Sequence, residues 1–377
     1  MQSKSTAQTM ALLPWVLLLV GIPAGLYLLV SLPILFKEAI PLPKEIAGTP
    51  VPQVNIPRRI SLADQWMEEG KFQLATEEYD AITRLQPKEI QAWVRLAKVL
   101  TLLNRYPEAV AAAQEALRLD PQNAAAHAHL GLAYDWQGET EKAIPPLRRA
   151  VELAPQAPEP HAYLASAYAE KNQWREALEE GQKAVQLDPA SVDAHRNLGY
   201  VLEKQAKHQE ALDHYQRAVN LRPNYAYLYR DVGRMYRDYP PLKDTAKAMA
   251  SFQKAIDLEP NEPRNHWGLA LVYYKEGNYT AARPIFDQAA QVDPTYAPAF
   301  AFSGWSYYLL QDYVMAIERF QRAAQLSPQA AQYQAALGWA YLKTGRTEEA
   351  RSRFQRALEL EPEQPLARQG LSAVGER

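Results

Sequence analysis

Beyond residue 60 the apolar positions recur at i, i+3 or i+4, and i+7 in short blocks, which is the spacing of one helix face. Each block is cut off by the same kind of phrase, as in Leu119-Asp120-Pro121, Leu187-Asp188-Pro189 and Val292-Asp293-Pro294. The closing prolines are Pro87, Pro121, Pro155, Pro189, Pro223, Pro260, Pro294, Pro328 and Pro362, spaced by 34 residues with one interval of 37. A fixed period of this size predicts stacked supersecondary units that bury their apolar faces against one another. In the unit from Ala124, Leu130, Gly131 and Tyr134 lie on one helical face, and Gly138-Glu139 breaks the helix. Ala143, Leu147 and Ala150 then mark a second helix before Pro155. Proline stops each pair because it lacks an N–H and forces its predecessor toward extended backbone.

Small residues recur with the same period. The first helix carries Gly131, Ala165, Gly199, Gly233, Ala270, Gly304 and Gly338, and the second carries an alanine at an equivalent place in every unit, from Ala75 to Ala350. Helix axes approach to about 8–10 Å at such positions. The unit closing at Pro362 sums up the pattern with Leu337-Gly338, Tyr341, Ala350, Phe354 and Ala357. These residues resemble the tetratricopeptide repeat (TPR) family. The resemblance implies an all-α fold, a right-handed superhelical solenoid of about nine helix-turn-helix repeats over residues 56–364, with residues 365–377 as a C-terminal capping helix. The surplus of the long unit falls at Tyr239–Asp244 and predicts a turn insertion projecting from one edge.

Ahead of the repeats, Ala11 to Phe36 carries no charge. A run of this length exceeds the roughly 20 residues a helix needs to cross a bilayer. Residues 1–36 are therefore expected to hold a single N-terminal transmembrane helix. A cleaved signal peptide is the competing reading, and its apolar core would be shorter, with a small-residue cleavage site after it. Residues 37–57 carry five prolines and no helical period, which predicts an extended linker of about 3.1 Å per residue. Lysines on both sides of the apolar run leave the side of the membrane that the repeats face undetermined.

Composition removes whole classes of function. Lys+Arg 41 against Asp+Glu 43 gives a net charge of −2, which offers no basic field for nucleic acid. The absence of cysteine excludes thiolate catalysis and cysteine-ligated metals. The chain carries no P-loop, no Gly-x-Ser-x-Gly and no His-Glu-x-x-His, so no enzyme, catalytic residue, cofactor or small-molecule substrate is expected. His127, His161, His195 and His266 share the fourth place of their units and could suggest a ladder of metal ligands. Neighbouring repeats sit about 8–10 Å apart, whereas zinc–nitrogen bonds are about 2.0–2.1 Å, so packing is the expected role and no metal site is assigned.

In TPR proteins the first helices line a concave groove that takes extended segments of partner proteins. The groove places are then the second, fifth, ninth and twelfth residues of each unit. Read this way, the candidate partner-binding residues are Arg196, Tyr200, Tyr227, Arg230, Arg234, Arg237, Arg264, Trp267, Tyr274, Trp305, Tyr308 and Trp339. The middle and C-terminal groove is expected to be basic and aromatic, and Asp64, Glu68, Glu159 and Glu170 make the N-terminal half more acidic. Asp231 and Asp238 stand close enough in sequence to neutralise the arginines. The ninth places hold no asparagine for a chaperone-tail carboxylate clamp, and of the sixth places only that of Asn197 matches an asparagine ladder. The expected function is a membrane-anchored scaffold or assembly factor for protein–protein interaction. The alternative is a permanent structural subunit of a membrane or cell-envelope complex.

Overall fold

The chain alternates helices of 13 and 14 residues, because each apolar block is ended by a turn and then by proline. In the computed structural model, which describes residues 55–375, the first helices of successive pairs are α1 (Ile56–Glu68), α3 (Ile90–Leu102), α5 (Ala124–Trp136), α7 (Pro158–Glu170) and α9 (Val192–Lys204). They continue with α11 (Ala226–Asp238), α13 (Pro263–Lys275), α15 (Ala297–Leu309) and α17 (Ala331–Lys343). The second helices are α2 (Phe72–Leu85), α4 (Tyr106–Leu119), α6 (Thr140–Leu153), α8 (Trp174–Leu187) and α10 (His208–Leu221). They end with α12 (Thr245–Leu258), α14 (Tyr279–Val292), α16 (Tyr313–Leu326) and α18 (Thr347–Leu360), and α19 (Pro365–Gly375) follows. The result is an all-α solenoid in which each helix packs on its neighbours in sequence and the first helices also pack on one another. The expected anchor and nearly all of the expected linker lie outside the described residues. Among those described, no helix is long and apolar enough to cross a membrane.

The repeated small residues have a visible cause. A Cβ on Gly304 would lie 2.7 Å from the Phe320 ring, and one on Gly338 would lie 2.6 Å from Phe354. Both rings are fully buried, and each such burial contributes about 1.5–3 kcal/mol. The first helix thus gives up a side chain so that an aromatic ring of the second can lie against its backbone.

A polar clip links seven of the nine proline stops to the helix after them. The Nε2 atoms of His127, His161, His195 and His266 lie 3.0, 3.1, 3.0 and 2.7 Å from the carbonyl oxygens of Pro121, Pro155, Pro189 and Pro260. A carbonyl can only accept, so these imidazoles carry the proton on Nε2. Trp93 Nε1 donates to Pro87 at 3.0 Å, the Tyr229 hydroxyl to Pro223 at 3.0 Å and Arg368 Nε to Pro362 at 3.1 Å. In the unit where Phe300 holds this place and has no donor, Arg322 reaches the Pro294 carbonyl instead at 3.2 Å. The histidine ladder is a set of backbone clips.

Side chains also join the first repeats to the fifth and sixth. Arg222 pairs with Glu68 at 2.6 Å, and Asn224 Nδ2 donates to the Glu68 carbonyl at 2.6 Å. Phe72 packs edge-on to Tyr225 at a centroid distance of 5.1 Å. Gly70, at φ +73°, permits this approach, since a Cβ there would lie 2.4 Å from the Asn224 carbonyl oxygen. The 37-residue unit places its surplus between α11 and α12. Tyr239 turns back there, stacking on His208 at 4.2 Å and donating to Glu203 at 2.7 Å, so this part of the insertion packs rather than projects.

Candidate partner-binding groove

Five of the expected groove residues come together. Arg196 and Tyr200 from α9, Tyr227 and Arg230 from α11, and Arg264 from α13 line one cavity of about 370 Å3. Asp135, Glu170 and Asp231 line it as well, so three guanidiniums face three carboxylates and the site is balanced rather than basic. This corrects the expectation of a basic middle groove.

The pairing is specific. Arg196 Nε donates to Asp231 at 2.7 Å, and its guanidinium lies over Trp136 at 4.7 Å and over Tyr227 at 5.2 Å. Burial works against the Arg196 charge, but Asp231 and the surrounding tyrosines outweigh it and push the group up. Asp231 is pulled below the usual carboxylate range, because Arg196 and Arg234 outweigh its burial. Arg234 is bonded to Glu203 and lies 3.4 Å from Asp231. Arg230 donates to Asn265 at 2.9 Å, and Glu259 lies 3.9 Å away. Burial pulls the Arg230 guanidinium down and pushes the Glu259 carboxyl up to about 6. Arg237 is buried, donates twice to Asp238 and lies over Phe252 and Trp267. Arg264 bonds to Asn104 across 160 residues. The buried pairs of Arg196 with Asp231, Arg234 with Glu203 and Arg237 with Asp238 hold the groove in shape.

The aromatic residues divide. Trp267 and Tyr274 each pack edge-on to Phe302 at 5.6 Å, and burial pushes the Tyr274 hydroxyl up to about 12. Trp339 packs on Phe354 and donates Nε1 to the Leu366 carbonyl at 3.0 Å. It fastens α19 to the stack and is partly buried, as Trp305 is against Phe320 at 5.1 Å. Trp305 and Tyr308 stay half-exposed, in edge contact at 5.4 Å, and Tyr313 extends the row at 5.4 Å from Tyr308. Beside them Leu309, Leu310 and Val314 are exposed, Val314 at 73%.

Sequence reasoning passed over a second cluster, deeper in the N-terminal half. Lys98 Nζ lies 2.7 Å from Asp193 Oδ2, the Tyr163 hydroxyl donates to the same oxygen at 3.0 Å, and the ring of His129 lies 6.0 Å from that of Tyr163. Lys98 and Asp193 hold a ninth and a second place of their units, so the register that selected the arginines also pointed to them. Asp135, at a twelfth place, was passed over in the same way. Burial raises its carboxyl to about 6, against the opposing hydrogen bonds of Ser166 and Thr140.

No curated protein matches this chain. Among solved structures it is similar to the one described as the APC/C hetero-tetramer Cut9-Hcn1, with a TM-score of 0.62 and 20% identity. The match covers 80% of this chain, which spans 58% of that one, and it shows a shared fold. It is also similar to pilF of Pseudomonas aeruginosa, with a TM-score of 0.45 and 28% identity over 56% of this chain and 95% of that one. Residues 242–302 and 307–374 match the tetratricopeptide repeat model. Residues 37–227, just over half of the sequence, match the model described as the cilia and flagella-associated protein 70 C-terminal domain. The chain therefore belongs to that family and is a TPR protein, an α-solenoid scaffold that binds protein partners through its repeats.

Proposed function

We propose that this TPR protein is a membrane-anchored assembly factor that holds an extended segment of a partner protein along its first helices. The observation that carries the reading is the contrast between the two halves of the groove. The charges of the middle groove are paired with one another, whereas Leu309, Leu310 and Val314 stand exposed beside the partly buried Trp305 and Tyr308. Exposed patches of this kind mark interaction sites, and half-exposed Trp and Tyr supply the strongest anchors in protein interfaces. The anchor part of the reading is supported by the uncharged run from Ala11 to Phe36 alone.

The test uses the full chain in membranes. A photo-crosslinker at Val314 is expected to trap one discrete partner, and Trp305→Ala is expected to abolish that product while the chain stays folded by circular dichroism. Deleting residues 11–36 should release the chain from alkaline-washed membranes. Undiminished crosslinking by Trp305→Ala would overturn the groove reading, and continued membrane retention of the deletion would overturn the anchor. Single introduced cysteines, labelled from either side, fix which face of the membrane the repeats occupy.

A further inference from the structure

A cavity of about 450 Å3 lies within the N-terminal half, walled by first helices from α1 to α11. Its charges are uneven. Asp64 is paired with Arg95 at 2.6 Å, Glu68 with Arg222 at 2.6 Å and Asp193 with Lys98 at 2.7 Å. These pairs use every lysine and arginine in the wall, and two carboxylates remain, those of Asp188 and Glu159. Asp188 accepts the backbone N–H of Ala190 at 2.9 Å in its own turn. Glu159 stands in the first turn of α7 and its carboxylate has no ion-pair or hydrogen-bond partner of its own among the described residues, although it lies in the field of Lys98.

A second observation points the same way. His129 lines this cavity, is more than nine-tenths buried, and its Nδ1 has no hydrogen-bond partner in the protein. A buried polar atom left in that state is destabilising until it finds a partner. His129 and Glu159 also share the wall of the adjoining cavity of about 280 Å3, so the two groups stand on one space. Met67, Leu102, Tyr225 and Tyr227 give the same cavity an apolar side.

We propose that this cavity receives the ammonium of a lysine side chain carried by the bound partner segment, with Glu159 and His129 Nδ1 as its acceptors. The inference rests on the reading of the solenoid as a holder of extended segments and names what one residue of such a segment contributes. A primary ammonium supplies three donors and a compact positive charge, which answers both the surplus of negative charge and the empty acceptor. The four-carbon stem matches the apolar side. A carboxylate or phosphate would add to the surplus. Burial, together with the nearby Lys98, pulls the imidazole of His129 down to about 3, so the ring is neutral and has a lone pair to offer.

The experiment titrates the full chain, labelled at histidine Cε1, with Nα-acetyl-lysine N-methylamide. Seven imidazole signals are expected, and that of His129 is identified by its loss in His129→Asn. The capped lysine should shift the His129 signal saturably. Capped norleucine and capped Nε-acetyl-lysine, which keep the stem without the charge, should leave it in place. Glu159→Gln should weaken the lysine effect by about tenfold or more, the loss expected for one charged hydrogen bond. No shift with capped lysine, an equal shift with either uncharged probe, or unchanged affinity in Glu159→Gln would each overturn the proposal. The uncharged probes need no variant, so the test stands even where Glu159→Gln perturbs folding. Failure here leaves Trp305-dependent crosslinking untouched, and failure of the crosslinking leaves the imidazole shift untouched.

Discussion

The ammonium of Lys98 lies 2.7 Å from the Asp193 carboxylate and joins α3 to α9 across 95 residues of chain. Burial disfavours both charges, and each is restored by the other. Asp193 is held below the usual carboxylate range because Lys98 and the Tyr163 hydroxyl outweigh its desolvation. Lys98 is held above the usual range because Asp193 outweighs its own. Lys98→Met leaves a buried carboxylate unpaired and should cost on the order of 3 kcal/mol in urea denaturation. Lys98→Met with Asp193→Leu should regain most of it. A depressed carboxylate contributes stability that is present above its unfolded value near ~3.9 and is lost as pH falls through the lower folded value. The Lys98→Met variant should lack that part of the acid sensitivity.

The clip between His266 and Pro260 should be replaceable by any donor of similar reach. His266→Ala is expected to lower stability by about 1 kcal/mol, the net value of one hydrogen bond. His266→Tyr should keep most of it, because Tyr229 makes the same bond to Pro223 one unit earlier. Thermal unfolding of the two variants side by side decides this. Equal losses would show that the ring contributes through packing alone.

Gly268 is a position where one methyl group matters. Its added Cβ would lie 2.3 Å from the Phe252 ring, which is itself buried between α11, α12 and α13. Gly268→Ala should cost about 1–3 kcal/mol through overpacking. Shrinking the ring with Phe252→Leu in the same chain should recover part of the loss, and denaturant midpoints of the single and double variants measure the coupling.

Asp135 makes stability fall as pH rises. Its carboxyl is raised to about 6 by burial, against about 3.9 when unfolded. For a raised group the contribution is complete below the unfolded value and is lost as pH climbs through the folded one. Asp135→Asn should therefore unfold at a higher temperature than the parent above pH ~6, and the difference should shrink toward zero below pH ~4. Unfolding temperatures across that window provide the check.

How much of this was legible in the sequence depends on the range of the interaction. The helix ends were legible because proline acts on its own backbone, so that α4 stops at Leu119, two residues before Pro121. The small residues of the first helices were legible because the ring they accommodate lies within the same unit. The inward side of Arg196 and Arg230 could be read from register, but their pairing with Asp231 and Asn265, each 35 residues on, could not be seen along one helix. A search for opposite charges one repeat apart would have found the first of them. The link from Lys98 to Asp193 and that from Arg264 to Asn104 depend on how tightly the solenoid winds. That pitch is the sum of many small rotations and is written at no single position.

The bonds that tie Glu68 and Phe72 to Arg222, Asn224 and Tyr225 change how the array should melt. In an open solenoid each unit answers only to its neighbours, and the ends fray one repeat at a time. Here the opening repeat is held from two sides, by the next repeat and by one four units further on. The stretch from α1 to α11 is therefore closed into a loop of contacts and has no free terminus within itself from which to fray. Cooperativity, in this half of the molecule, comes from topology as well as from the strength of any single interface.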